Sequence, residues 1–196
     1  MNARAHGAVE LASDLTARAS DAVARAWEVL GSVADPEIPV LSVVDLGIVR
    51  DVRAEGSAVA VTVTPTYSGC PATQVIEASI RRALAEAGFE ATVRTALAPA
   101  WTTDWITPAG REKLVRFGIA PPCVCTGGAS PGVADASSVP APVRMYRLYR
   151  STPAAIACPR CGAADTERLA EFGSTACKAL YRCRTCREPF DYFKPI

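Results

Sequence analysis

The chain has 196 residues, a net charge of +1, 49% apolar residues, eight cysteines and a single histidine. That length holds one ordinary domain, or one with a small satellite, and the apolar and charged fractions describe a chain able to bury a core. The near-neutral balance lacks the basic footprint of a nucleic-acid binder, no apolar run nears the roughly 18 residues that span a bilayer, and Glu10 and Asp14 stand where a signal peptide needs an apolar block. The expectation is a cytoplasmic protein with neither nucleic acid nor membrane as partner.

The lone histidine, His6, falls in what reads as an N-terminal tail, so a buried Cys-His or Ser-His pair has no imidazole, and His-rich zinc or di-iron sites are excluded with it. Neither G-x-G-x-x-G nor G-x-x-x-x-G-K-S/T occurs, which removes the usual phosphate-cradling loops. In a cytosolic chain, the eight cysteines read as metal ligands or reactive thiols before they read as disulfides.

In chain order, Leu15, Ala19, Val23, Ala26, Trp27 and Leu30 predict an amphipathic helix from Ser13 to Leu30. Asp35-Pro36-Glu37 predicts a turn, or one helical turn with Asp35 as N-cap and Pro36 at N1. Strands are expected over Ile48–Arg53 and Ala58–Thr64, joined by a Glu55-Gly56-Ser57 hairpin. Ala72, Val75, Ile76, Ser79, Ile80, Ala83, Leu84 and Ala87 then follow helical spacing up to Gly88. A third strand, Ala91–Leu97, and a helix, Thr107–Phe117, complete an α-β-β-α-β-α order. The fold class is α+β: a small three-stranded sheet with packed helices, followed by a C-terminal β module. The expected boundaries are a domain over 13–120, a Pro/Gly/Ala-rich linker over 121–155 and a cysteine module over 156–196.

Cys158-x-x-Cys161 and Cys183-x-x-Cys186 are two knuckles separated by 21 residues. Each C-x-x-C turn presents two sulfurs on one side, so a pair completes the four-sulfur shell that Zn²⁺ prefers at about 2.3 Å. A hairpin over Glu167–Phe172 and Ala176–Arg182, about Gly173 and Ser174, would bring them together as a zinc ribbon. Zinc is favoured over iron because a roughly 40-residue module has too little core, a deficit that a structural zinc worth about 10 to 16 kcal/mol can fill. The shell is closed, so this zinc is structural. Cys177 precedes Cys183 by six residues, about 20 Å along an extended strand, and reads as a buried thiol before it reads as a fifth ligand.

Cys70, in Gly69-Cys70-Pro71, is expected at or beside the N-cap of the long helix, where unpaired N–H groups favour a thiolate able to bind soft metals or iron-sulfur clusters. The competing reading is a capping residue under a packed loop. Asp35, Glu37 and Asp45 could bind a cation or set the protonation of the thiol, although turns and caps explain Asp35 and Asp45 equally well. Tyr67 and Ser68 orient a ligand or shape a turn. Trp101 and Trp105 read as core or interface anchors, and Cys123 and Cys125 form a C-x-C pair in the linker.

D-P-E-I-P-V (35–40), D-L-G-I-V (45–49) and T-P-T-Y-S-G-C-P (64–71) resemble the small α+β domain of the SufT and cytosolic iron-sulfur targeting family. With A-W-T-T-D-W-I-T (100–107), G-I-A-P-P (118–122) and the segment 172–194, the chain is similar to the PaaD family, encoded with the multicomponent phenylacetyl-CoA epoxidase of bacterial phenylacetate degradation. The resemblance implies an accessory protein that helps insert an iron-sulfur cluster, or iron, into an oxygenase system whose reductase carries a 2Fe-2S centre. It places the functional thiol on Cys70 and the supporting groups on Asp35, Glu37, Asp45, Thr64, Tyr67, Ser68 and Gly69. The implied cofactors are a structural zinc and a transient cluster; the implied partners are the epoxidase components, especially the reductase, and the iron-sulfur assembly machinery, with a homodimer left open. The rival readings are a structural subunit of the epoxidase and, more remotely, a thiol enzyme using Cys70.

Overall fold

The computed structural model describes residues 3–56, 58–67, 69–123 and 156–196, with side chains from residue 16 onward. Ser68, Cys125 and nearly all of the expected linker lie outside the described residues.

The first module contains helix α1 (Ala3–Gly31), strands β1 (Val49–Glu55) and β2 (Ala58–Val63), helix α2 (Thr73–Glu86), strand β3 (Glu90–Thr95) and helix α3 (Pro108–Phe117). The α-β-β-α-β-α order is as expected. Helix α1 begins ten residues earlier than the apolar spacing indicates and takes in His6, because a run of good helix formers extends it beyond its core-facing segment. The β1/β2 hairpin is antiparallel, with Gly56 at positive φ; α2 then carries the chain over so that β3 runs parallel to β2 in the order β1-β2-β3.

Helices α1 and α2 cover this sheet. Ala26 and Leu30 from α1, Val59, Val61 and Val63 from β2, and Ile76, Ile80 and Leu84 from α2 share one core. Full burial of a side chain such as Ile80 or Leu84 stabilises the module by about 1.5–3 kcal/mol. Val75, expected on the buried face of α2, is exposed instead.

The second module contains β5 (Thr166–Ala170), β6 (Lys178–Cys183) and β7 (Pro189–Phe193). Its hairpin forms where expected, with shorter strands. A two-residue strand, β4 (Ile119–Ala120), follows α3 directly and pairs in parallel with β7, giving the order β4-β7-β6-β5. The modules are therefore joined by a sheet as well as by the chain. Phe193 is 1% exposed and inserts into the first module's core, its ring centroid 6.1 Å from that of Trp101. The Trp101 Nε1–H donates to the Leu46 carbonyl at 2.9 Å, so Trp101, read from the sequence as a core or interface anchor, sits in the core where the second module meets it. No helix among the described residues is long and apolar enough to cross a membrane.

Candidate functional site

Four sulfurs meet in the ribbon. The metal-ligating atoms of Cys158, Cys161, Cys183 and Cys186 lie within 4.8 Å of one another, the only such group of three or more His, Cys, Asp or Glu donors among the described residues. The Cys158–Cys186 and Cys161–Cys183 Sγ pairs are 3.8 and 3.6 Å apart. Four sulfurs at about 2.3 Å from a central ion form a tetrahedron with edges of about 3.8 Å, so these two edges match a tetrahedrally coordinated ion and the donor set fits one. The backbone supports the knuckles: the Gly162 N–H donates to the Cys158 carbonyl at 2.9 Å and the Cys183 N–H to the Glu188 carbonyl at 3.0 Å. The Cys186 N–H, aimed at the Cys183 sulfur, heads the influences that pull that thiol down to about 7. At Cys186 the Glu188 N–H acts in the same direction, but burial and the three neighbouring sulfurs prevail and push its thiol up to about 12.

Cys70 lies differently. It is half-buried and lines a cavity of about 20 Å³ with Asp35, Glu37, Thr66, Thr73 and Cys177, closed behind by Ile38, Ile48, Ile76 and Phe193. That space suits a water molecule or a single ion and is far below the roughly 300 Å³ at which pockets for organic ligands begin. The N-cap of α2 is Ala72, so Cys70 and Pro71 both precede the helix, and Cys70 stands two residues before the cap it was expected to occupy or adjoin. The cause is local: the Thr73 N–H and hydroxyl donate to the Cys70 carbonyl at 3.2 and 2.9 Å, forming a separate turn before the helix starts. The helix field fades within its first turn. What distinguishes Cys70 is the company in the cavity.

Asp35 and Glu37 reach that cavity from the turn after α1. Asp35 is 6% exposed, and its Oδ1 accepts from the N–H groups of Glu37 and Ile38 at 2.9 and 2.8 Å. Burial outweighs those two bonds and raises its pKa; Glu37 is raised by burial and by the neighbouring Asp35. Tyr67 is close enough that Cys70, Glu37 and Cys177 add to the burial that raises its phenol.

Asp45 stands apart. Its Oδ2 accepts from Lys113 Nζ at 2.6 Å and from the N–H and hydroxyl of Ser42 at 2.9 Å each, so a lowered pKa survives partial burial. It ties α3 to the loop before β1. Thr64 is buried, with its N–H on the Ile48 carbonyl at 2.8 Å, and Gly69 is exposed in the turn; neither lines the cavity.

Of the residues singled out in the sequence, the fold thus brings Asp35, Glu37 and Cys70 together. It adds Thr66 and Thr73, which flank Cys70, and Cys177, which is 107 positions away. Thr73, three residues after Cys70, could have been found as the partner of a turn; nothing local signals Cys177.

Residues 147–194 match the family described as "PaaD zinc beta ribbon domain", and residues 23–97 match "Iron-sulfur cluster assembly protein". The chain is 46% identical over 171 residues to an Escherichia coli K12 protein named as a subunit of "Putative 1,2-phenylacetyl-CoA epoxidase", covering 87% of this chain and 91% of that one. Similar solved structures include a domain of unknown function from Bacillus anthracis, at 24% identity and a TM-score of 0.48 over 50% of this chain and 96% of that one. Another is Rv1466 of Mycobacterium tuberculosis, a protein associated with Fe-S complex assembly and repair, at 36% identity and a TM-score of 0.28 over 46% of this chain and 81% of that one.

Proposed function

The chain belongs to the PaaD family, and from that premise we propose that it is a non-catalytic maturation factor for a multicomponent phenylacetyl-CoA epoxidase, assisting insertion of iron or an iron-sulfur cluster through Cys70. The observation that carries this reading is the cavity, where a half-buried thiol faces two carboxylates in a space too small for a thioester substrate. Sulfur with carboxylate oxygen is a donor set suited to iron, whereas the chain's only histidine lies in α1, far along the sequence from the cavity residues. Asp35 and Glu37 supply negative charge beside the thiol, and Tyr67 borders it. The clients would be the epoxidase components, the iron-sulfur reductase first among them, with the cellular assembly machinery as donor.

In the ribbon, Cys158, Cys161, Cys183 and Cys186 would hold a structural Zn²⁺, which when bound supplies a closed four-sulfur shell that fixes the module's shape. The residues around it fasten β6 and β7, and through Phe193 and Cys177 the wall of the cavity.

The experiment is co-expression of the oxygenase components with the wild-type chain or with Cys70→Ser. Low cluster occupancy of the reductase and low epoxidation with the variant support the reading; normal values overturn it. The E. coli relative is named as a part of the epoxidase itself, which favours a second reading in which the protein stays bound in that complex. Stoichiometric co-elution in size-exclusion of the purified complex supports the bound component, and absence from the complex supports the transient helper.

A further inference from the structure

A second thiol lining the cavity of Cys70 belongs to the other module. Cys177 sits just before β6, is 6% exposed and is buried against the first module's core rather than the ribbon's own. It is also held in position: its carbonyl accepts from the Lys194 N–H at 2.9 Å, and the Thr175 hydroxyl lies 3.1 Å from its sulfur. Its neighbour Lys178, 5% exposed, forms an ion pair with Asp191 at 3.2 Å and is close enough to act electrostatically on Asp35 and Glu37.

We propose that Cys177 is the second sulfur of the Cys70 site, and that the two thiols, with Glu37 and Asp35 beside them, take up one thiophilic divalent ion at the junction of the modules. The inference rests on the reading of Cys70 given above and goes beyond it by making the ribbon module a supplier of a ligand rather than only a wall held in shape by its metal.

Three observations carry it. Both cysteines and both carboxylates line one cavity of about 20 Å³, room for an ion rather than a preassembled cluster. Asp35 accepts both its backbone hydrogen bonds on Oδ1, and Oδ2, which accepts none among the described residues, is not sealed off but keeps contact with solvent, where an ion can reach it. A merely space-filling thiol has no need of two desolvated carboxylates across the same cavity, because burying those carboxylates costs stability. Burial, ahead of Glu37, raises the Cys177 thiol. On uptake, two metal–sulfur bonds form as two S–H bonds break; both protons leave to solvent and no electron is transferred. The four donors do not form the tight group seen in the ribbon. A shell that has not converged suits cargo that must leave again.

The test uses the full-length protein with its ribbon loaded with zinc, titrated anaerobically with Co²⁺, which does not displace zinc from thiolates. The readout is thiolate-to-cobalt charge-transfer absorption. Wild type should bind one Co²⁺ with two sulfur ligands, and both Cys70→Ser and Cys177→Ala should weaken binding by at least roughly tenfold, the loss seen even for outer partners of a metal. If Cys70→Ser abolishes the band and Cys177→Ala leaves it unchanged, the two-sulfur site is wrong and the Cys70 reading survives. If wild type shows no such band, or neither variant changes it, both fall. Zinc content reports whether the Cys177→Ala ribbon is folded. Should it not be, dibromobimane on zinc-loaded wild type without cobalt decides: a peptide bridging Cys70 and Cys177 in the mass spectrum supports the site, and its absence overturns it.

Discussion

In the ribbon four sulfurs lie within 4.8 Å of one another, whereas Cys70 and Cys177 face a common cavity with two carboxylates and form no such tight group. The ribbon's donors come from two knuckles whose backbones lock the sulfurs in place; those of the cavity come from three separate places in the fold, the turn after α1, the turn before α2 and the start of β6. A closed, converged shell retains an ion. An open, divided one can exchange it.

The comparison breaks first at the ribbon, where the expected effect is largest. Cys158→Ala, or chelation of the metal, should abolish the C-terminal fold, detected as loss of one zinc per chain together with loss of near-ultraviolet signal from Trp101 and Phe193, which meet at 6.1 Å. Acid should act in the same direction. Protons compete with the ion for each of the four sulfurs, so zinc retention should fall in acid. Zinc that stays bound in weak acid would contradict this.

Next comes Gly47, in the D-L-G turn that leads into β1. Its φ is +66°, and a Cβ there would run into the Trp105 carbonyl oxygen and come within 2.8 Å of the Trp105 Cβ. The Trp105 ring is covered by Arg50, whose guanidinium carbon lies 3.4 Å from the ring centroid. Gly47→Ala should cost about 3 kcal/mol in urea unfolding, combining backbone strain with overpacking. It should leave zinc content unchanged, because the clash belongs to the first module.

These cases show what a sequence can disclose. The two C-x-x-C knuckles were legible because a metal shell imposes a local spacing on its ligands, and α2 because Ile76, Ile80 and Leu84 repeat on one face. Strand β4 was not, since two residues, Ile119 and Ala120, carry no alternation; their partner β7 follows them by about seventy positions. Cys177 was legible as a buried thiol but not as a wall of the Cys70 cavity, because two long-range events bring the modules together, the pairing of β4 with β7 and the docking of Phe193 into the first core. The carboxylates illustrate the same limit: Asp35 and Asp45 read alike as turn residues, yet one faces the cavity and the other Lys113.

That pair yields the smallest effects and the sharpest contrast. Asp45 has a lowered pKa, so its contribution is present above the unfolded value of about 3.9 and is lost as pH falls through the lower folded value. Asp45→Ala should cost about 2–3 kcal/mol at neutral pH, since the Ser42 N–H and hydroxyl lose their buried acceptor. Asp35 has a raised pKa, and the sign reverses: its ionisation lowers stability as pH rises from about 3.9 towards the folded value. Asn at 35 keeps the Oδ1 acceptor for Glu37 and Ile38 but carries no charge to desolvate. Asp35→Asn should therefore unfold at slightly higher urea at pH 7, by on the order of 1 kcal/mol or less, while binding Co²⁺ more weakly at the cavity. A variant that is less stable at neutral pH and binds the ion as wild type does would make Asp35 a structural turn residue, and would leave the two sulfurs and Glu37 as the cavity's chemistry.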